Sequence, residues 1–299
     1  MKVLVTGTSG QLGYDVMEEL LRRGHEAIGA DRSEVGGDFE KVQLDITDAE
    51  RVFKVVDELK PDAIIHCAAW TNVDGAEEPE NLKKVRAVNV EGTRNLAEAA
   101  KKVDAKFVYI STDYVFNGEG NEPWRADDKN YAPINVYGQS KLDGELAVAE
   151  ILDKYFIVRI AWVFGRNGKN FVKTMLKVGA GHEVVKVVDD QIGTPTYTYD
   201  LARLLVDMIE SDKYGYYHAT NEGGYISWAD FTEEIFRQAG IDSKVERVTT
   251  EEYEKIAGKT VAKRPFNSRL DKSKLVEAGF EPLPTWQDAL ERYLKEIKI

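Results

Sequence analysis

The sequence predicts an α/β fold, with a doubly wound parallel sheet followed by a smaller mixed α/β lobe. Short apolar runs alternate with helical patterns from the N-terminus to about residue 165, which is typical of a parallel sheet with helices on both faces. The apolar runs are continuous rather than alternating, as expected of strands that are buried on both faces. With 299 residues, of which 43% are apolar, the chain can form one large domain or two unequal ones.

The predicted elements follow one another in a regular order. Strands are predicted at 2–7, 26–31, 62–69, 106–112 and 156–165. Helices are predicted between them, at 14–24, 46–60, 88–103 and 137–152. We therefore expect residues 1–165 to form the domain that contains the sheet.

The regular alternation weakens after residue 165. Residues 196–211 predict one further helix, which we expect to join the first domain. The remaining segments suggest a smaller substrate-binding lobe over 166–299, with elements at 184–190, 214–224 and 227–240. Because no Pro/Gly-rich linker separates the two parts, we expect them to be interwoven, with a cleft above the carboxyl ends of the strands.

Composition limits the kinds of partner that the chain can bind and the cellular compartment that suits it. The net charge is -12, which disfavours a nucleic-acid partner because a polyanion would be repelled. Cys67 is the only cysteine, so no intrachain disulfide can form and the chain suits the reducing cytoplasm. The N-terminal apolar stretch is too short for a signal sequence, and no run of 18 apolar residues predicts a membrane span. The four histidines are scattered, which gives no metal-binding pattern.

Three glycines lie between the first predicted strand and the first predicted helix. Gly7, Gly10 and Gly13 have the spacing G-x-x-G-x-x-G within TGTSGQLG. Glycine allows a tight turn, a close approach of backbone N–H groups to a pyrophosphate, and close packing of the helix on its strand. The motif alone is weak evidence, but its position between a strand and a helix favours a Rossmann-type doubly wound parallel sheet that binds a dinucleotide.

Asp31 ends the second predicted strand and follows Gly13 by 18 residues. An acidic residue at this place accepts a hydrogen bond from a ribose 2′-hydroxyl and repels a 2′-phosphate, whereas the adjacent Arg32 would attract the phosphate. The sequence therefore predicts NADH, NADPH or both as the cofactor. A further short strand is expected just before LDITD. Asp45 and Ile46 follow it and could contact the adenine, although Asp45 is equally suited to cap the following helix.

Tyr137 and Lys141 lie four residues apart at the start of a predicted helix. Residues i and i+4 are neighbours on a helix surface, so the ammonium can lie beside the phenol. A nearby positive charge favours the phenolate, and a pKa lowered by about 3 units would make Tyr137 a usable general acid at neutral pH. Chance Tyr-x-x-x-Lys pairs are common in helices, so this hypothesis depends on the motifs around the pair.

A hydroxyl at the end of a neighbouring strand would complete such a site. The predicted strand 106–112 ends in Ser111 and Thr112. A hydroxyl there could hold a substrate carbonyl oxygen next to Tyr137. We favour Thr112 for this role, and Ser111 is the alternative.

The glycine motif, Thr112, Tyr137 and Lys141 together resemble the extended short-chain dehydrogenase/reductase superfamily. Eight segments between residues 7 and 271 are similar to the dTDP-4-dehydrorhamnose reductase family: GTSGQLG, CAAWTNVDGAE, STDYVFNG, PINVYGQSKLDGE, WVFG, NFVKTML, DQIGTPT and RPFNSRLD. The resemblance implies that NADH or NADPH reduces the C4 ketone of dTDP-6-deoxy-L-lyxo-4-hexulose (dTDP-4-dehydrorhamnose), which gives dTDP-L-rhamnose.

The resemblance also implies roles for individual residues. Tyr137 would be the proton donor, Lys141 the group that lowers its pKa and binds the cofactor ribose, and Thr112 the hydroxyl that orients the carbonyl. The other residues beside the cofactor would include Gln11, Leu12, Ala68, Ala69 and Thr71.

Five further residues would contact the nucleotide sugar. The sugar would lie near Asp113, Tyr114 and Trp162, although Trp162 could instead be a core aromatic residue. Arg264 and Asn267 would hold the nucleotide diphosphate, since a guanidinium suits phosphate geometry. The alternative for these last two is a loop packed against the sheet.

The sequence departs from the family pattern at two positions. Ala126 stands where the family usually has glutamate, and Gly75 where it often has lysine. The first departure concerns the packing of the loop before Tyr137 more than the chemistry. Some relatives pair through carboxylates and a metal ion, but the sequence identifies no such site here and leaves a homodimer open.

Two other functions compete with this interpretation. One is another nucleotide-sugar reductase or epimerase of the same superfamily, against which RPFNSRLD argues by resemblance. The other is a non-catalytic NAD(P)-binding regulatory subunit, like that of methionine adenosyltransferase. The intact Thr112, Tyr137 and Lys141 argue against the regulatory subunit.

Overall fold

Strands and helices alternate along most of the chain, and the computed structural model describes residues 1–32, 39–257 and 262–298. The strands are β1 (Lys2–Thr6), β2 (Glu26–Asp31), β3 (Glu40–Gln43), β4 (Ala63–His66), β5 (Lys106–Thr112), β6 (Tyr155–Ile160), β7 (Val163–Phe164), β8 (Val184–Val188), β9 (Ile192–Gly193), β10 (Thr196–Tyr197), β11 (Gly215–His218), β12 (Ile226–Ser227) and β13 (Lys244–Val248).

The α-helices connect these strands. They are α1 (Gln11–Arg22), α2 (Ala49–Leu59), α3 (Val73–Ala76), α4 (Leu82–Arg86), α5 (Thr93–Lys102), α6 (Val136–Ile151), α7 (Phe171–Gly179), α8 (Thr198–Ile209), α9 (Trp228–Ala239), α10 (Thr250–Ala257), α11 (Ser273–Glu277) and α12 (Trp286–Glu296). A π-helical turn, Ala87–Gly92, joins α4 to α5, and a 3-10 turn, Asp113–Val115, follows β5.

Seven of the described strands form one parallel sheet. Their spatial order is β11, β6, β5, β4, β1, β2, β3. From β1 the chain moves outward to β2 and β3, and then returns to the other side of β1 for β4, β5 and β6. The strand order therefore reverses beside β1, and ligands bind such sheets at the carboxyl ends of the strands around this point. The predicted fold class is confirmed.

Helices cover both faces of the sheet, and the side chains of β1 show how. Val3 and Val5 point to one face, where they pack with buried residues of α1 and α8. Leu4 lies between them in sequence and points to the other face, where it packs with α2 and α5. All three side chains are fully buried, which explains why the strand is continuously apolar in sequence.

One segment lies elsewhere than the sequence suggested. Residues 214–224 were expected in the smaller lobe, but Gly215–His218 form β11, which pairs with β6 at the edge of the large sheet. The strand is only four residues long and begins with Gly215. Its Tyr and His side chains form no continuous apolar run that would have predicted a strand of the large sheet. Helix α8 packs against α1 on the same sheet.

The smaller lobe has its own core. The parallel pair β8–β13 packs with α7, α9 and α12 around buried aromatic side chains, among them Phe164, Phe231 and Trp286. Within the three described ranges, no helix combines the length and the apolar character needed to cross a bilayer.

Candidate active site

The glycine motif forms the turn between β1 and α1. Gly7 has a φ of +72°, and a Cβ atom there would lie 2.6 Å from the backbone nitrogen of Ala68. A Cβ atom on Gly13 would lie 2.3 Å from the carbonyl oxygen of Gly7, so the helix can approach the turn only because the side chain is absent. Gly10 is the N-cap of α1 and offers no side chain to its first N–H groups. These groups are free to bind an anion such as a pyrophosphate.

A cavity of about 910 Å³ begins at this turn and extends along the carboxyl ends of the strands to the start of α6. All the residues predicted to bind the cofactor line it, namely Gly7, Gly10, Gln11, Leu12, Gly13, Asp31, Arg32, Asp45, Ile46, Ala68, Ala69, Thr71, Tyr137 and Lys141. Four of the residues predicted to contact the substrate also line it, namely Thr112, Asp113, Tyr114 and Trp162.

Asp31 and Asp45 lie at one end of the cavity. The Asp31 carboxylate accepts hydrogen bonds from the backbone N–H (3.0 Å) and the hydroxyl (2.7 Å) of Ser9, which fix its position beside Arg32. Asp45 accepts from the backbone and the hydroxyl of Thr47, whereas Asp48 caps α2. The sequence had left a capping role for Asp45 open, and the structure assigns the cap to Asp48.

Tyr137 and Lys141 lie on the first turns of α6, at the other end of the cavity. The helix begins at Val136 because the Asn135 side chain accepts a hydrogen bond from the backbone N–H of Gly138 (2.7 Å). Gly138 also lets α6 approach the turn after β5, since a Cβ atom there would lie 2.3 Å from the carbonyl oxygen of Tyr114. The ring of Tyr114 meets that of Tyr137 edge to face, with centroids 5.7 Å apart.

Burial controls the pKa values of this pair. It raises the pKa of Tyr137 above its usual value; the Asp113 carboxylate raises it further, and a hydrogen bond with Thr112 lowers it. Burial lowers the pKa of Lys141 to about 7, against the opposing effects of Glu145 and Cys67. The sequence had predicted a lowered pKa for Tyr137. That prediction is wrong for the protein groups by themselves, because burial disfavours the phenolate and is the largest effect on this phenol.

Thr112 ends β5 directly beside the phenol. Its hydroxyl donates to Asp113 (3.0 Å) and accepts from the backbone N–H of Tyr114 (3.3 Å). Burial raises the pKa of Asp113 to about 6, against the opposing effects of Ser268 and Thr112. Its Oδ2 atom is buried and makes no hydrogen bond of good geometry within the described ranges. The hydroxyl of Ser111 is likewise buried without a partner in the described ranges, and Ser111 lines the cavity. Both sequence candidates therefore lie in the site.

An aromatic wall closes the cavity near Thr112. Trp162 has a φ of +51°, which is rare for a bulky side chain and costs about 1 kcal/mol or more. Its indole stacks on that of Trp228, with centroids 3.7 Å apart, and Trp228 packs in turn on Phe171 at 4.4 Å. Trp162, Trp228 and Phe171 all line the cavity. Trp162 thus lines the cavity while also packing against a buried apolar cluster, and its contact with the sugar stays a prediction.

The segment after β4 is held by a residue that the sequence analysis did not single out. Asn89 lies in the π-helical turn and is buried. Its side chain accepts from the backbone N–H of Trp70 (2.7 Å) and donates to the carbonyl oxygen of Trp70 (3.2 Å) and the hydroxyl of Ser140 (2.8 Å). Asn89 thus connects the cavity wall at Trp70 to the helix that carries Tyr137.

Arg264 and Asn267 are not among the described residues that line the cavity. Arg264 donates two hydrogen bonds to the carboxylate of Asp74 (2.9 and 3.0 Å). Asn267 is 1% exposed, and its amide donates to the carbonyl oxygens of Glu119 and Glu122. In this structure Arg264 thus connects its loop to α3, and Asn267 connects its loop to the segment 119–122. Their role at a diphosphate stays a prediction.

The family model described as "RmlD substrate binding domain" matches residues 1–299. The chain belongs to the RmlD family. The dTDP-4-dehydrorhamnose reductase of Streptomyces griseus is 43% identical over 96% of this chain and 91% of its own length. A crystal structure of a dTDP-4-dehydrorhamnose reductase from Clostridium acetobutylicum is 42% identical, covers all of both chains and has a TM-score of 0.91. The enzyme from Bacillus anthracis, in complex with NADP, is 42% identical over 99% of both chains, with a TM-score of 0.89.

Several cavity residues of this RmlD family member were missed by the sequence analysis. They are Ser9, Trp70, Val73, Gly168, Lys169, Phe171 and Trp228. Ser9 lies inside the glycine motif and Phe171 inside NFVKTML, so their motifs were recognised although their roles were not. Trp228 begins α9 in the smaller lobe, and only the tertiary fold brings it to Trp162. Among the described residues, no group of three or more His, Cys, Asp or Glu side chains is arranged to hold a metal ion.

Proposed function

We propose that this chain uses NADH or NADPH to reduce the C4 ketone of dTDP-4-dehydrorhamnose, giving dTDP-L-rhamnose. The observation that carries the proposal is one continuous cavity. It joins the glycine turn and Asp31 at one end to Thr112, Tyr137 and Lys141 at the other. A dinucleotide extended along this cavity would have its pyrophosphate at α1 and its reactive end beside the tyrosine. Membership of the RmlD family supports the same substrate.

The glycine turn fits the cofactor. Side chains are excluded at Gly7 and Gly13 by contacts below 3 Å, and the first N–H groups of α1 receive no side-chain cap from Gly10. Asp31 would accept a hydrogen bond from the ribose 2′-hydroxyl. Arg32 beside it would bind a 2′-phosphate through its positive charge. When bound, a reduced nicotinamide supplies the hydride that the ketone carbon accepts.

Tyr137 supplies the proton in this proposal. A ketone that gains a hydride at carbon gains negative charge at oxygen, and an alkoxide is a far stronger base than a phenolate. The raised pKa of Tyr137 keeps the phenol protonated before the reaction, so the proton is available when that charge develops. Lys141 then stabilises the phenolate with its positive charge. Thr112 holds the carbonyl oxygen in line with the phenol.

The neighbouring side chains would fix the sugar. The unpartnered carboxylate oxygen of Asp113 can accept a hydrogen bond from a sugar hydroxyl. The aromatic wall of Trp162 offers a flat apolar surface to the opposite side of the ring. We also propose a cytoplasmic location, which the single cysteine and the nucleotide-sugar substrate support, and we leave a homodimer as a prediction.

The test is the absorbance of the reduced nicotinamide. Purified protein is mixed with dTDP-4-keto-6-deoxyglucose, the 3,5-epimerase that converts it into the substrate, and NADH or NADPH in turn. Oxidation that requires both the sugar and the epimerase is the expected result. Oxidation without the epimerase would indicate a different sugar ketone, and tight cofactor binding with no oxidation would favour the regulatory subunit.

A further inference from the structure

Tyr109 packs against Lys141, a residue that lines the cavity. Tyr109 is a fully buried residue of β5 and is not one of the described residues that line the cavity. The Lys141 ammonium lies 4.1 Å from the centroid of its ring, and its hydroxyl donates to the carbonyl oxygen of Lys141 (3.2 Å). Tyr109 therefore contacts both the backbone and the charged end of the same lysine.

The Lys141 ammonium has few other partners. Lys141 is 3% exposed, and no described residue accepts a hydrogen bond from the ammonium. The titratable or charged side chains that act on it or contact it are His66, Cys67, Tyr109 and Glu145, and Tyr137 lies four residues before it on α6.

Glu145 is the one carboxylate in this set, and its charge is shared. It forms a fully buried ion pair with Arg159 (2.8 Å), which partly cancels its field at Lys141. The ring of Tyr109 is the group in direct contact with the ammonium. The face of an aromatic ring attracts a cation, and this attraction is strongest where water is excluded.

The helix is built to make this contact. Gly144 lies three residues after Lys141 on α6, and a Cβ atom there would lie 2.2 Å from the hydroxyl of Tyr109. It would also lie 2.7 Å from the carbonyl oxygen of Asn89. The glycine thus allows α6 to approach β5 closely enough for Lys141 to rest on the ring.

We infer that Tyr109 is a positioning residue, whose ring face holds the Lys141 ammonium in its charged form between Tyr137 and the cofactor ribose. The inference rests on the proposed function, since it assigns the support of a group in that site. The N–H groups that do not point at the ring stay free to reach the cofactor and the phenolate. A hydrogen-bonding support would instead occupy them.

Two variants separate the ring from the hydroxyl. Tyr109→Phe keeps the ring face and removes the bond to the Lys141 carbonyl, whereas Tyr109→Leu removes the ring. The charged form of Lys141 is present at pH values below the pKa of Lys141. It is lost as the pH rises through that pKa. Without the ring the cation is less favoured, so the pKa of Lys141 falls and the high-pH limb of kcat moves to lower pH.

We expect the limb to move down by about one pH unit in Tyr109→Leu, which is about a tenfold loss of kcat above the limb and little loss below it. In Tyr109→Phe we expect the limb to stay within about 0.3 units of the unaltered protein. A loss that is equal at every pH, or equal in the two variants, would show a purely structural role and overturn the inference.

Cofactor binding gives a second measurement that needs no turnover. The dissociation constant of NADPH or NADH is measured by fluorescence at low and high pH for the same three proteins. We expect the Leu variant to bind several-fold more weakly at high pH only, because the charged lysine is then lost. If the unaltered protein binds cofactor but turns over no sugar, the proposed function fails while this measurement still decides the role of Tyr109. Equal pH dependence in all three proteins would reject that role.

Discussion

Tyr137 and Lys141 have pKa values displaced in opposite directions, the phenol upward and the ammonium downward, and burial is the main cause of both shifts. The phenol that holds its proton can release it when negative charge develops on the substrate oxygen, and the ammonium, while charged, stabilises the phenolate that results. The chemistry at this scale therefore depends on a dry site as much as on the identity of the two residues.

Replacing Tyr137 by Phe removes the proposed proton donor and little volume. We expect kcat to fall by about 100-fold or more, while the dissociation constant of the cofactor changes by only a few-fold. Steady-state kinetics and a fluorescence titration measure the two quantities. Tyr199→Phe removes an exposed phenol of α8 and serves as the control. A kcat that survives within a few-fold in the Tyr137 variant would exclude it as the donor.

Asp31 is expected to set the balance between the two cofactors. Replacing it by Ala removes the acceptor for a ribose hydroxyl and the negative charge that repels a 2′-phosphate. The ratio of kcat/KM for NADPH to that for NADH should then rise by about tenfold. Ser9→Ala is the matched control, since it removes one hydrogen bond to Asp31 but keeps the carboxylate. Unchanged selectivity in Asp31→Ala would show that the carboxylate only holds the Ser9 turn.

At the scale of elements, α1 and α8 are joined by a buried polar contact. The Thr198 hydroxyl donates to the Asp15 carboxylate at 2.5 Å. Burial raises the pKa of Asp15 to about 7, helped by Glu296 and Glu18 and opposed by Thr198 and Arg166. The folded protein therefore holds a proton that the unfolded chain has released between about pH 4 and pH 7, and this part of the stability is lost as the pH rises through that range.

Asp15→Asn should remove this pH dependence, because an amide keeps a hydrogen bond with Thr198 and does not ionise. We expect the free energy of unfolding of the unaltered protein to fall by about 3 kcal/mol more than that of the variant between pH 4 and pH 8. Urea denaturation at the two pH values measures the difference. Glu50→Gln, an exposed change on α2 that does not act on Asp15, is the control. Parallel pH profiles for Asp15→Asn and the unaltered protein would contradict the prediction.

At the scale of the whole molecule, one ion pair connects several parts of the fold. Arg159 of β6 binds Glu145 of α6, and it also donates to the carbonyl oxygen of Ala126 and to the hydroxyl of Tyr131. His218 of β11 lies 3.4 Å from the same guanidinium. Ala126 contributes to this network through its backbone carbonyl.

Glu145→Gln should lower the free energy of unfolding by about 3 kcal/mol, because it leaves a buried guanidinium without its counterion. Arg159→Met in the same chain removes that unpaired charge, so the double variant should be more stable than the sum of the two single changes implies. Urea denaturation of the unaltered protein, the two single variants and the double variant gives the coupling free energy between the two side chains. Strictly additive changes would show that the pair is not coupled, despite its contact distance.

Much of the fold was predictable from sequence, because periodicity and apolar runs report local structure and burial. The glycine turn and the helix that carries Tyr137 and Lys141 were recognised because each motif is short and continuous in the chain. The role of β11 was missed, since membership of a sheet is decided by long-range pairing. Trp228 was missed because its contact with Trp162 also joins residues that are distant in the chain.

The errors at the site have a physical cause as well. A sequence shows which residues can ionise but not how far each is buried, so it could not show that burial raises the pKa of Tyr137. Nor could it show that Asp74 already accepts the guanidinium of Arg264. Both outcomes depend on neighbours that are distant in the chain.

The late position of β11 bears on how the chain folds during synthesis. Residues 1–165 contain six of the sheet's seven described strands, yet the edge of β6 stays unpaired until residues 215–218 have been made. Part of the apolar face of α1 likewise stays uncovered until α8, which packs against it, has been made. A nascent chain of this protein would expose an open strand edge and part of its core over some fifty residues of translation, the interval in which nascent chains aggregate and chaperones bind.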